Sequence, residues 1–167
     1  MSLSDELRDF LGEGDEIRVA ILGIGSTIRG DDAVGMEVVK HLKEREMDNV
    51  LLLETHTVPE NFTGHLREFS PTHIIMVDAA HLQEEPGAMK IVPAQMIGDV
   101  CISTHKLPLT VLITFIEKSF NAQSILVGIQ PLSITFGTEM TPEVDKAAKE
   151  VSEQIYEALR RRKMKRG

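Results

Sequence analysis

Cysteine occurs once in these 167 residues, at Cys101. A single thiol cannot form an internal disulfide, and its scarcity points to a reducing compartment. Cys101 could act as a nucleophile, although a small buried apolar filler is the commoner fate of an isolated cysteine. Long apolar runs are also missing, and none approaches the ~18 residues that a membrane span requires. The opening MSLSDELRDFLGEGDE is too acidic and too weakly apolar for a signal peptide, so a soluble, cytoplasmic protein is expected. Positive charge is in deficit: the net charge of −8 argues against a general nucleic-acid binder and says little about small ligands.

Familiar catalytic signatures are absent too. There is no HExxH, no GxSxG elbow and no P-loop. Gly23-Ile24-Gly25 opens like a dinucleotide fingerprint, but the third glycine arrives only at Gly30. Two aspartates beside it would also repel a pyrophosphate. Glu54, ending a strand where such folds keep a ribose-binding acid, leaves a nucleotide reading as an alternative.

What is present describes a globular chain, 42% hydrophobic and 26% charged, of a length that suits one domain over 1–167, with 1–15 as an N-terminal extension. Ser2 to Leu11 has helical spacing with Leu3, Leu7, Phe10 and Leu11 on one side, ended by Gly12 and Gly14. Buried strands are predicted at about Glu16–Ile24, Val50–Leu53, His73–Val77 and Ser124–Ile129, and a short edge strand at Ala88–Val92. Helices are predicted from the Asp32 turn to about Met47, over Asn61–Phe69, over Leu107–Ile116, and from Pro142 to about Arg162, the last with Thr141 as cap. Phe136 to Met140 reads as a mobile loop at the rim of the sheet. The basic run Arg160–Arg166 reads as a solvated helix end set against the macrodipole. Strands alternating with helices predict an α/β fold of three αβα layers: a twisted, mostly parallel sheet of about five strands flanked by helices.

The stretch GSTIRGDDAVG, Gly25 to Gly35, joins the first strand to its helix at the carboxyl edge of the sheet, where open α/β folds keep their sites. Asp31 and Asp32 lie within it, and one of them is explained by helix capping alone. Asp78 ends the third strand and His105 starts a helix. All three regions can reach one rim. Two carboxylates and an imidazole there would accept zinc or nickel and leave positions open to water or substrate. The plainer alternatives are a strand-end turn for Asp78 and a backbone-bonded side chain for His105. Of the other histidines, His41 and His65 fall on helix surfaces, His73 at a strand start, and His56 and His81 in loops.

Assembled, these residues resemble the maturation proteases of nickel–iron hydrogenases, of the type that processes the large subunit of hydrogenase 3. The resemblance runs from Ile17 onward. It rests on Gly25, Gly30, Asp31, Asp32 and Gly35, on Pro59-Glu60-Asn61 and on Ile75-Met76-Val77-Asp78-Ala79, and it continues through Thr104-His105-Lys106-Leu107-Pro108-Leu109 and Gly128-Ile129-Gln130-Pro131. It implies that Asp32, Asp78 and His105 bind nickel. It implies an endopeptidase that removes the C-terminal extension of a large-subunit precursor after nickel insertion, the nickel arriving with the precursor and no metal being tightly held beforehand. Asp32 is then the first candidate for the base that activates water, and Asp31 the second. A monomer is implied as well. A non-cleaving metallochaperone that checks nickel loading with the same ligands is the alternative. Where family turns carry glycine after the acidic pair, this chain has Ala33, which argues against a positive φ there.

Overall fold

The computed structural model describes residues 1–14, 16–100 and 108–166, with side chains through Arg160. Five strands form one sheet: β1 (Val19–Ile24), β2 (Val50–His56), β3 (His73–Ala79), β4 (Met89–Val92) and β5 (Gln123–Ile129). Their order is β2-β1-β3-β5-β4, parallel throughout except that β4 runs antiparallel on β5. β1 and β3 are buried along their whole length, and their side chains alternate between the two faces. Ile21, Ile75, Val77 and Val127 enter one core; Ala20, Leu22, Ile74, Met76 and Leu126 enter the other.

The first core lies under α1 (Leu3–Leu11), α2 (Val34–Leu42) and α6 (Pro142–Arg166). The second lies under α3 (Thr63–Phe69), α4 (Ile97–Val100) and α5 (Leu109–Phe120). The expected three-layer α/β architecture is therefore observed. α1 forms where its ends say it should: Ser2 and Asp5 make a capping box, and Gly12 closes the helix at φ +69°. Leu3, Leu7 and Leu11 are all buried, so this N-terminal segment is part of the core. None of the helices among the described residues is long and apolar enough to cross a membrane.

Several expectations need correction. β2 is an edge strand, and Val50, Leu51 and Leu52 are only half-buried. α2 stops at Leu42, short of Met47, because the charged run that follows has nothing apolar to bury. Lys43 turns to Glu54 at 2.7 Å, while Arg45 pairs with Glu153 and lies over the Tyr156 ring. The stretch before residue 101 is more ordered than its sequence suggests, with a 3-10 turn at Ala94–Met96 leading into α4. α6 continues to Arg166. Cys101 and the Thr104-His105-Lys106-Leu107 motif lie outside the described residues.

β1 connects to β2 on one side and the chain returns to β3 on the other. The strand order thus reverses between β1 and β3, and their carboxyl ends open side by side at the switch point of the sheet.

Candidate active site at the carboxyl rim

The turn that leaves β1 is shaped by close backbone approach. At the end of β1 the pairing to β2 slips, Gly23 facing Glu54 and Ile24 facing His56. The skipped Thr55 gives its hydroxyl to the Gly23 carbonyl at 3.0 Å. Gly25 donates its N–H to the His56 carbonyl at 2.9 Å and takes φ +145°. A Cβ on Gly25 would fall 1.8 Å from the Asp32 carbonyl oxygen, so the turn folds back on itself here and only glycine fits. A 3-10 turn, Gly30–Ala33, then carries both aspartates into α2, with Ala33 at φ −80°. The alanine is therefore accommodated without strain.

Gly35 fixes where that turn sits. A Cβ there would lie 2.0 Å from the Val77 carbonyl and 2.6 Å from the Ile24 carbonyl, so the first turn of α2 rests directly on the backbones of β3 and β1. Asp78 follows Val77. The contact at Gly35 thus brings the Asp32 turn and the end of β3 to the same rim. Both carboxylates are fully buried. Asp78 Oδ1 accepts the Ala79 N–H at 2.8 Å. His105 lies outside the described residues, but Val100, the last residue before that stretch, accepts the His81 N–H at 2.8 Å, just beyond Asp78.

The adjacent aspartates have opposite surroundings. Asp31 Oδ2 accepts the N–H groups of Leu132 (2.8 Å) and Ser133 (3.0 Å). Its Oδ1 accepts the Thr141 N–H at 2.7 Å, and the Thr141 hydroxyl lies 2.9 Å from both oxygens. That fills the acceptor capacity of a carboxylate. Asp32 Oδ2 accepts the Ser26 N–H at 3.0 Å, whereas its Oδ1 is buried with no hydrogen-bond partner among the described residues. An orphaned buried carboxylate oxygen is costly, and such exceptions in a native fold call for a function. A cation or an N–H donor brought from outside would satisfy it.

Thr141 stands at the start of α6 as expected, its carbonyl accepting the Asp145 N–H at 2.9 Å, while its hydroxyl turns to Asp31. The loop between β5 and α6, expected to be mobile, is instead pinned. Gly30 donates to the Thr138 carbonyl, Asp31 to that of Ser133 and Gly137 to that of Ile28, at 2.8–3.1 Å. Sequence reading missed Ser26 as the donor that orients Asp32. Glu60, named there only as part of a motif, has Oε2 buried without a partner among the described residues, in the 3-10 turn (Pro59–Phe62) after β2. Two of the other histidines pack away from this rim. His73 is buried, with Nδ1 2.8 Å from the Thr72 hydroxyl and the Phe10 ring packed edge-on; His41 lies near Glu37. A cavity of about 620 Å³ lies at the amino end of β1 and β2, lined by Ile17, Val19, Val50, Tyr156 and Leu159, and is no part of this rim.

The sequence and the fold have counterparts in known proteins. The family model HycI, hydrogenase maturation protease, matches residues 36–158. An archaeal relative from Methanocaldococcus jannaschii, assigned as a hydrogenase maturation protease, is 40% identical over 127 residues, which cover 71% of this chain and 75% of the relative. The hydrogenase 3 maturation protease of Escherichia coli is 28% identical over 140 residues, 83% of this chain and 86% of its own. Among solved structures, the [NiFe] hydrogenase maturation protease HycI from Thermococcus kodakarensis KOD1 superposes with a TM-score of 0.83 at 33% identity, covering 93% of this chain and 99% of that one. With the family model matching most of its length and sequence and fold shared with these proteins, the chain belongs to the hydrogenase maturation proteases and is an endopeptidase.

Proposed function

We propose that this endopeptidase removes the C-terminal extension of a [NiFe] hydrogenase large-subunit precursor, and does so only after nickel has been inserted. The observation that carries the proposal is Asp32 Oδ1, a buried oxygen left without a partner at the rim it shares with Asp78. In this reading the nickel belongs to the substrate. Asp32, Asp78 and His105 are its ligands on this chain, an oxygen and nitrogen set that suits a borderline divalent ion. The ion supplies Lewis acidity toward the scissile carbonyl.

The chain's own residues do the rest. Ser26, holding Asp32 through Oδ2, leaves the other oxygen in a fixed direction. Gripping the precursor at its metal positions the tail for attack, and orientation of this kind can remove several kcal/mol or more from a barrier. Asp32 takes the proton from the attacking water; the water oxygen bonds to the peptide carbon, and the proton passes to the departing amine as the C–N bond breaks. Asp31 is unsuited to be the second base, because every acceptor position on it is engaged. It serves as a positioning residue for the rim. We further propose that the protein acts as a cytoplasmic monomer and holds no metal tightly before meeting its substrate.

The test is the mass of the large subunit after incubation with the protein, with nickel-loaded and nickel-free precursor side by side. Loss of a C-terminal peptide from the loaded form alone is expected, with Asp32→Asn leaving the mass unchanged. Equal cleavage of both forms would refute nickel dependence. A stable complex with uncut precursor would identify a metallochaperone.

A further inference from the structure

A neutral, apolar lip stands beside the candidate site. Ile28, Leu132 and Phe136 are 55%, 57% and 69% exposed, unusual values for large hydrophobic residues in a chain with so complete a core. They are brought together by the bonds that fold the Asp31 turn against the β5–α6 loop: Gly137 N–H to the Ile28 carbonyl at 2.8 Å, and Leu132 N–H to Asp31 Oδ2 at 2.8 Å. Ile134, between Leu132 and Phe136, is partly buried against the core, while Leu132 and Phe136 stay exposed on either side of it. From Pro131 to Thr138 no residue is charged, in a protein carrying 26 acidic and 18 basic side chains. Such a surface repels no approaching chain and gains most from one that is itself apolar.

The lip is continuous with the turn that carries Asp32. Ser26, whose N–H orients Asp32, also accepts the Ile28 N–H on its hydroxyl oxygen at 3.4 Å. The lip therefore borders the turn that presents Asp32. We propose that Ile28, Leu132 and Phe136 form the docking surface for an apolar, extended stretch of the hydrogenase large-subunit precursor next to its cut. This rests on the function proposed above and adds to it a recognition surface independent of the metal. Asp31 is the positioning residue of this lip, since it fastens Leu132 and Ser133 to the site-bearing turn.

The test measures binding and cleavage separately on the host's nickel-loaded large-subunit precursor. Phe136→Ser and Leu132→Ser should each raise the Kd roughly tenfold, the loss of one well-placed apolar anchor. Phe136→Leu should restore most of the affinity. The deficit should persist at high salt, because no charge is involved. Val111→Ser, at an exposed apolar position on α5 (51%), should leave binding unchanged. Unaltered affinity in both lip variants, or a loss confined to Val111→Ser, would overturn the proposal while cleavage by the parent protein kept the functional reading intact. Tight, lip-dependent binding without loss of the tail would support the docking surface and refute the protease reading. A precursor that does not bind at all would refute both.

Discussion

Replacing each of the two adjacent aspartates by asparagine should have opposite consequences, and the difference can be worked out from their partners. At position 31 the amide keeps one acceptor oxygen, which can continue to serve Leu132 and Ser133, but its NH2 then faces the Thr141 N–H. One donor is orphaned and two bonds lose their charge assistance. Hydrogen bonds to charged groups contribute ~1.5–3 kcal/mol each, and an unsatisfied buried donor costs ~1–3 kcal/mol. Contacts sharing one carboxylate are not additive, so Asp31→Asn should destabilise by about 3 kcal/mol. For a chain of this size that lowers Tm by about 6–12 °C. At position 32 the amide oxygen keeps the Ser26 N–H, and the NH2 replaces an oxygen that bonds to nothing described. Loss of a negative charge near the start of α2 costs ~0.3–1 kcal/mol, and relief of a buried, half-satisfied carboxylate offsets it. The new NH2 is itself left without an acceptor among the described residues, so Asp32→Asn should destabilise by about 1 kcal/mol, clearly less than Asp31→Asn. Urea unfolding gives both numbers. Cleavage of nickel-loaded precursor, measured well below either midpoint, should survive at reduced rate in Asp31→Asn and vanish in Asp32→Asn. Equal losses of stability at the two positions would refute the division of roles.

Two further substitutions probe how the rim is built. Gly35→Ala puts a Cβ 2.0 Å from the Val77 carbonyl and should force α2 off the sheet, costing several kcal/mol and the activity with it; an unfolding midpoint equal to the parent's would show that the contact is not obligatory. Leu7→Ala empties a fully buried position on α1 and should cost ~2–5 kcal/mol in urea unfolding, whereas a dispensable N-terminal extension would show almost none.

Local chemistry made much of this fold readable. The buried strands β1, β3 and β5 are runs of branched apolar residues, and α1 announces both ends through Ser2 and Gly12. Alternation of strands and helices allowed the ends of β1 and β3 to reach one rim, and the sheet sets the two strands side by side, the placement that matters for the site. The misreadings come from tertiary context. Val50–Leu53 is as apolar as a central strand, yet it sits at an edge with residues half-buried on either face. Asp31 looked like a helix cap or a spare base because its partners lie 101, 102 and 110 residues away in the chain. No local pattern encodes that. The same bonds turned a loop rich in small and apolar residues, expected to move, into a fastened lip.

The juxtaposition of one saturated and one half-satisfied aspartate has a physical logic. A buried carboxylate oxygen without a donor favours any rearrangement that would supply one, so it persists only where the surrounding backbone cannot shift. Here three constraints remove that freedom. Gly25 folds over the Asp32 carbonyl, Gly35 is seated on Val77, and Asp31 clamps the turn to the loop before α6. Asp31 thus stabilises the very strain that leaves Asp32 available. On the functional reading proposed above, this also explains why metal loading could be sensed at all: a precursor carrying nickel relieves the orphaned oxygen and is bound more tightly by that amount, whereas an unloaded precursor brings nothing to it. Discrimination would then reside in Asp32 Oδ1, an oxygen left without a partner at this rim among the described residues, and the apolar lip would hold both forms equally.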